Sequence, residues 1–293
     1  MKKLLFQLDT DPSPSTFDAV VAYDGGADHL ISLAGVTPES CGPAVEGVIY
    51  TRGPAHKKNS ALFVGGSDLA AGEALLAAVR RNFFGGFRVS VMLDSNGANT
   101  TAAAAVALML SGHGGAEGET PLAGQAAVVL AGTGPVGQRI AGLLGRAGAT
   151  VRLSSRAFDR AKAASERVSE RFEVSCEPVA VSDEPSLAGA LDGCRIAVAT
   201  GASGVRLLPE DVWREHPDLE LLADPGTTPP SGIEGIEPFD RDEARHGKRT
   251  FGGLAIGSLK LRLHRACIAQ LFERNDRVLD VEEIYALARS LAA

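Results

Sequence analysis

The chain has 293 residues, 45% of them hydrophobic and 22% charged, enough for two ordinary domains with buried cores. Its 29 basic and 36 acidic residues give a net charge of −7, which excludes the basic footprint of a nucleic-acid binder. No apolar run approaches the roughly 20 residues of a membrane helix, and Asp9 and Asp11 break the N-terminal apolar run too early for a signal peptide.

In chain order, Lys3 to Leu8 reads as an apolar strand, stopped by the turn-forming stretch from Asp9 to Pro14. Ser15 is an N-cap for a helix opening at Thr16, Phe17 and Asp18. His56-Lys57-Lys58 reads as a solvated loop tip. A second strand covers Ala61 to Val64, followed by a helix from Asp68 to Phe83. A third strand, Phe87 to Leu93, runs into Asp94-Ser95-Asn96-Gly97 and an alanine-rich helix from Asn99. Ser111 to Pro121 is a linker by its glycine content. Then come a strand from Ala126 to Ala131, a helix from Pro135, a strand from Ala149 to Leu153 and a helix from Phe158 to Arg171. Strands at Arg195–Thr200 and Leu219–Ala223 continue the alternation, with Pro209 in the first turn of the helix between them. Two closing helices span Leu259 to Phe272 and Val281 to Leu291. Strands regularly separated by helices predict an α/β fold with parallel sheets. The expected division is a substrate domain over 1–118, a Rossmann-type nucleotide domain over 119–258 with the cleft between the two, and closing helices over 259–293 that pack back on the first domain.

The four cysteines, Cys41, Cys176, Cys194 and Cys267, are scattered without a CxxC pair. Buried reduced thiols, a cytoplasmic location and no metal site are the expectation.

Gly132-Thr133-Gly134-Pro135-Val136-Gly137 is the sharpest local signal. GxGxxG alone is weak in a chain with 34 glycines; its strand–turn–helix setting makes it informative. Gly132 permits the tight turn, Gly134 lets a pyrophosphate approach the backbone, and Gly137 lets helix and strand pack closely. The alternative is a turn kept only for packing. The next strand ends in Ser154-Ser155-Arg156 instead of the acid that accepts from an NAD ribose. Two hydroxyls and a guanidinium suit a 2′-phosphate and point to NADP, unless Arg156 and Arg160 are ordinary solvated charges. Thr200, Gly201 and Ala202 end a later strand, where backbone groups meet a cofactor.

Several further stretches carry a resemblance: Gln7-Leu8-Asp9-Thr10-Asp11 with Phe17-Asp18, Tyr23-Asp24-Gly25-Gly26-Ala27-Asp28-His29, Ile49-Tyr50-Thr51-Arg52-Gly53, Met92-Leu93-Asp94-Ser95-Asn96-Gly97 with Asn99-Thr100-Thr101, and Ile256-Gly257-Ser258-Leu259-Lys260-Leu261 with Leu263-His264-Arg265-Ala266-Cys267. Together with the glycine turn, they make the whole chain resemble the bacterial NADP-dependent methylenetetrahydromethanopterin/methylenetetrahydrofolate dehydrogenases. The resemblance implies reversible hydride transfer from a methylene bridge between two nitrogens to NADP+, a pterin substrate, no metal, and a homo-oligomer, a trimer. The chain departs from the family after Asp224, where Pro225-Gly226-Thr227-Thr228 replaces a polar, Tyr-Asn-like pair.

Lys260 matches the family's active-site lysine, and of seven lysines it alone stands in an apolar stretch; the alternative is a lysine snorkelling from a helix end. Asp18 could accept from pterin N–H groups or merely favour the helix dipole. Thr16 and Phe17 beside it, with Asp94, Asn96 and Asn99 after the third strand, are the candidate substrate contacts; caps and turns explain the latter three as well. His29 and His264 are assigned no proton-transfer role. Two rival functions stay open, a dehydrogenase of the shikimate dehydrogenase type and a non-catalytic NADP-sensing protein. The residues do not choose between tetrahydromethanopterin and tetrahydrofolate, nor decide how strictly NADP is preferred over NAD.

Overall fold

In the computed structural model residues 1–111 and 120–292 are described. The chain forms two compact units, 1–100 with 261–287 and 101–260 with 288–293. The domain boundary expected at 118/119, and most of the expected linker, lie outside the described residues.

The first part of the chain runs β1 (Leu4–Asp9), α1 (Thr16–Asp24), β2 (His29–Leu33), α2 (Gly42–Tyr50), β3 (Ser60–Gly65), α3 (Leu69–Arg81), β4 (Ser90–Leu93) and α4 (Ala98–Met109). Ser15 caps α1 by accepting from the Asp18 N–H at 3.2 Å, and Asp68 caps α3 in the same manner through Ala71. The third strand starts later than its apolar run, because Phe84 and Phe87 pair with each other around Gly85 and Gly86. The chain continues with β5 (Ala126–Leu130), α5 (Pro135–Arg146), β6 (Thr150–Ser155), α6 (Phe158–Phe172), β7 (Cys176–Ala180), α7 (Glu184–Leu191), β8 (Cys194–Ala199), α8 (Glu210–Trp213), β9 (Leu221–Ala223), β10 (Arg241–Arg245), β11 (Lys248–Phe251), α9 (Gly253–Leu271), β12 (Val278–Leu279) and α10 (Val281–Ala292).

The sheet of the first unit has the order β12-β4-β3-β1-β2 with every pair parallel. Both faces of β3 and β4 are buried, as a parallel sheet covered by helices requires. Leu62 and Val64 of β3 pack with Leu8, Ile49 of α2 and Val79 of α3. Counted by chain order the strands run 2-1-3-4-5, so the order reverses between β1 and β3, and the crevice outside their carboxyl ends is where such sheets bind ligands.

The second sheet has the order β10-β11-β9-β8-β5-β6-β7. Only β10 is antiparallel, in a hairpin with β11. Its six parallel strands, numbered from β5, run 3-2-1-4-5-6, the doubly wound dinucleotide-binding order with its reversal between β5 and β8. Trp213 is fully buried in its core, and its indole N–H donates to the Glu234 carbonyl at 2.8 Å. The whole is an α/β fold with two parallel-sheet units, as expected.

Candidate functional site

The glycine turn sits between β5 and α5, at the order reversal of the second sheet. A Cβ on Gly132 would lie 2.9 Å from Val129 Cγ1, and one on Gly137 would lie 2.6 Å from the Gly132 Cα. Both positions exclude any side chain. A Cβ on Gly134 meets nothing within 4 Å. That open space in front of the N-terminus of α5, where Pro135 stands at the first turn, suits a pyrophosphate held by backbone N–H groups. Thr133 and Val136 are half-buried in the same turn, and Gln138 Nε2 donates to the Thr133 carbonyl at 2.7 Å.

Ser154 stands near the end of β6. Its side chain is buried, and its Oγ accepts from the Ala131 N–H at 3.0 Å while its carbonyl accepts from Gly132 N–H at 3.0 Å. It ties the turn to β6. Ser155 is half-buried and Arg156 exposed at the same strand end. Asp159 falls in the first turn of α6, past the strand end.

Across the reversal, Thr200 closes β8 against β5: its N–H and Oγ1 both donate to the Leu130 carbonyl, at 3.0 and 3.1 Å. Thr200, Gly201 and Ala202 line a pocket with Val136, Asp224 and Pro225. Asp224 follows β9, and its buried carboxylate accepts from the Gly226 N–H at 2.9 Å and the Ile233 N–H at 3.2 Å. Burial pushes its carboxyl up from the ordinary aspartate range, against the pull of these N–H groups. Sequence reasoning did not single out its side chain, although an acid ending an apolar strand before Pro and Gly is a legible signal.

Lys260 lies half-buried in α9, one turn before His264. It is not the most enclosed lysine. Lys57 and Lys248 are buried; of the stretch 56–58 expected to be solvated, His56 and Lys58 are exposed and Lys57 alone turns inward. Lys57 donates to the Ile49 carbonyl and lies 4.5 Å from the Phe87 ring centre; Lys248 donates to the His216 and Leu219 carbonyls at 2.6 and 2.8 Å. Both ammonium groups serve backbone carbonyls.

In the first unit, Thr16 and Phe17 are exposed and Asp18 half-buried at the start of α1. Asp94 follows β4, and Asn99 lies in the first turn of α4. Both are fully buried. Asp94 accepts from Thr100 N and Oγ1 at 2.9 and 2.6 Å, and Asn99 Nδ2 donates to the Leu93 carbonyl at 2.8 Å and to Asp280 at 3.0 Å. These groups hold the strand end in shape. Asn96 is exposed in a left-handed turn (φ 54°), its N–H donating to the Gly66 carbonyl at 2.7 Å. His264 is buried with Nδ1 3.8 Å from Asp94 Oδ2; its ring stacks on Phe63 at 5.6 Å and tilts toward Phe17 at 6.4 Å.

The stretch 9–14, a turn by composition and in part a family motif, carries no candidate site residue in the sequence reading. Asp9 is buried and accepts from Asp11 N and Ser15 N at 2.9 and 3.1 Å, while Asp11 accepts from Ser67 N and Oγ at 3.0 and 2.9 Å. These bonds join the loops after β1 and β3 beside the order reversal of the first sheet.

The family model for methylene-tetrahydromethanopterin dehydrogenase, N-terminal, matches residues 16–96. Over 291 residues, 99% of either chain, the protein is 52% identical to the bifunctional protein MdtA of Methylorubrum extorquens. It is 26% identical over 282 residues, 95% of either chain, to the NAD(P)-dependent methylenetetrahydromethanopterin dehydrogenase of the same organism. Among solved structures, an ornithine carbamoyltransferase from Gloeobacter violaceus superposes with a TM-score of 0.52 at 13% identity, covering 92% of this chain and 86% of that one, a likeness of fold alone. With kinship running the full length of the chain, the protein belongs to the methylenetetrahydromethanopterin dehydrogenase family.

Proposed function

We propose that this protein is an NADP-dependent dehydrogenase moving a hydride reversibly between the methylene group of methylenetetrahydromethanopterin, methylenetetrahydrofolate or both and NADP+, with the methenyl form as product. The observation that carries the reading is the 52% identity over 99% of the chain within this family. The NAD(P) dependence named for the second relative supports the cofactor class, and the open space at Gly134 with Ser155 and Arg156 beyond β6 fits an NADP pyrophosphate and 2′-phosphate. That kinship disfavours the shikimate dehydrogenase alternative.

Bound there, NADP+ supplies the hydride acceptor. The turn at 132–137 binds the pyrophosphate by backbone N–H groups and the α5 dipole. Thr200, Gly201 and Ala202 shape the crevice beyond it. The two nitrogens flanking the methylene carbon delocalise the developing cation, so the chemistry asks the protein for alignment and exclusion of water, with no nucleophile or strong acid. Lys260 is assigned the polar edge of the pterin or a water beside it. Thr16, Phe17, Asp18 and Asn96, at the carboxyl ends of the first sheet, are assigned to the pterin, with 1–118 as its domain, 119–258 as the cofactor domain and the closing helices over 259–293 completing the first.

We further assign the protein to the cytoplasm, in keeping with its buried free thiols, and to a homotrimer on the family resemblance, which light scattering after size exclusion would measure. No helix among the described residues is long and apolar enough to cross a membrane. The decisive assay follows NADPH and NADH formation with each methylene carrier. Turnover of either carrier with NADP+ is the expected result; NADP+ binding without any turnover would establish the NADP-sensing protein instead.

A further inference from the structure

The strand order divides the cofactor crevice chemically. The turn after β5 faces the pyrophosphate, and the β6 end with Ser155 and Arg156 faces the adenosine side. The other mononucleotide half must therefore extend over the carboxyl ends of β8 and β9. There a pocket is lined by Val136, Thr200, Gly201, Asp224, Pro225 and Gly232. Its wall is the loop 225–233, irregular apart from a single bridge of Ile233 to Leu208.

What gives that loop its shape is one carboxylate. Asp224 N–H donates to the Phe251 carbonyl at 2.9 Å, anchoring the residue in the sheet. Its side chain turns back on the loop and accepts from the N–H groups of Gly226 and Ile233 at 2.9 and 3.2 Å. Two glycines make room for it. A Cβ on Gly226 would stand 2.9 Å from Asp224 Oδ1; one on Gly232 would stand 3.4 Å from both carboxylate oxygens and 2.9 Å from Ala199 Cβ. The Gly232 carbonyl then accepts from Leu207 and Leu208 N–H, at 2.8 and 3.0 Å, closing the loop onto the segment that follows β8. On its other side the loop meets α9, since a Cβ on Gly253 would collide with the Gly226 carbonyl. Lys260 lies two turns further along that helix. Burying a carboxylate costs free energy that only good hydrogen bonds offset, so an asparagine or a leucine would be the cheaper residue if the loop served packing alone.

Resting on the dehydrogenase reading above, we propose that Asp224 is a positioning residue, whose carboxylate shapes the loop 225–233 as the wall of the nicotinamide half of the crevice and seats Gly226 against the start of the helix bearing Lys260.

The test compares NADP+ with 2′,5′-ADP, which carries the adenosine half and its phosphate but no nicotinamide. Calorimetric titration of the full chain and steady-state turnover are measured for wild type, Asp224→Asn and Gly226→Ala. Asn keeps the size but turns an N–H donor toward loop N–H groups; Ala keeps the carboxylate but blocks its approach to Gly226. In both variants NADP+ should bind about tenfold more weakly or worse, with 2′,5′-ADP unchanged within about twofold and kcat reduced. Gly226→Ala carries the test alone if Asp224→Asn does not fold. Equal losses for both ligands would mark a merely structural role and overturn the proposal, as would folded variants with unchanged NADP+ affinity and turnover. A wild type that binds neither ligand would overturn the dinucleotide reading itself and the proposal with it.

Discussion

Four lysines, Lys3, Lys57, Lys248 and Lys260, are buried or half-buried, and what each ammonium touches separates them: Lys3 lies over the Phe272 ring at 5.7 Å. Lys57 and Lys248 point into backbone carbonyls and serve as structural pins. Lys260 is half-buried on a helix whose next turn carries His264, against Asp94 and the Phe63 ring. Lys260→Ala should lower turnover by at least about tenfold, roughly 1.4 kcal/mol of transition-state stabilisation, with NADP+ affinity nearly unchanged. Stopped-flow and titration of a folded variant check this; near-normal turnover would remove Lys260 from the mechanism. At the β6 end the structure moves the cofactor test by one residue. Ser154 is locked to the turn through Ala131 N–H, so Ser154→Ala should weaken NADP+ and NAD+ alike. Arg156→Ala should weaken NADP+ by about tenfold and spare NAD+, because a charge-assisted bond to the 2′-phosphate contributes roughly 1.5–3 kcal/mol. Ser155→Asp should shift preference toward NAD+ by repelling that phosphate. The readout is kcat/KM for both cofactors; equal losses in Arg156→Ala would sink the assignment.

At the scale of elements, the glycine turn contains two kinds of glycine. Gly134 faces open space, while Gly137 abuts Gly132 and Thr200. Gly134→Val should abolish NADP+ binding and leave the circular dichroism spectrum unchanged. Gly137→Ala should instead destabilise the fold, by about 1–3 kcal/mol in denaturant unfolding, because its Cβ has no space. If Gly134→Val still bound NADP+, the turn would not be the phosphate site. Legibility followed the same physics. Strands buried on both faces, such as β3 and β5, are plain apolar runs. Edge strands are not: β7 contains Pro178, and β10 reads Arg-Asp-Glu-Ala-Arg. Proline and charge are what an exposed sheet edge tolerates and uses against aggregation, and they erase the pattern by which a strand is recognised. The exposed edge strand β2 and the Gly- and Pro-containing α2 were missed for related reasons. The start of α9 was placed six residues late, since Gly253 and Gly257 argue against a helix until the loop packed against Gly253 is known.

For the whole molecule, ligand linkage offers a test that needs no mutation. NADP+ at about 100 times its Kd should add roughly 2.7 kcal/mol to the stability of the unit that binds it. In differential scanning calorimetry the added cofactor should raise one transition in wild type and none in Gly134→Val; an equal rise in both would place the cofactor elsewhere. The sequence by itself determined the α/β class, the strand–turn–helix around 132–137 and the kinship carried by its motifs. Each of these is local, written in hydrophobic periodicity, glycine spacing or contiguous identity. Tertiary structure alone decided which side chains at the strand ends face outward. Asp94 and Ser154 at strand ends and Asn99 in the first turn of α4 are polar residues at positions where solvent exposure is the ordinary expectation, yet each turns inward to bond with backbone or side-chain groups of other segments. Asp224 likewise gains its meaning only from N–H groups up to nine residues away. A buried polar side chain is specified by partners distant in sequence, and that pairing exists only once the sheets have formed.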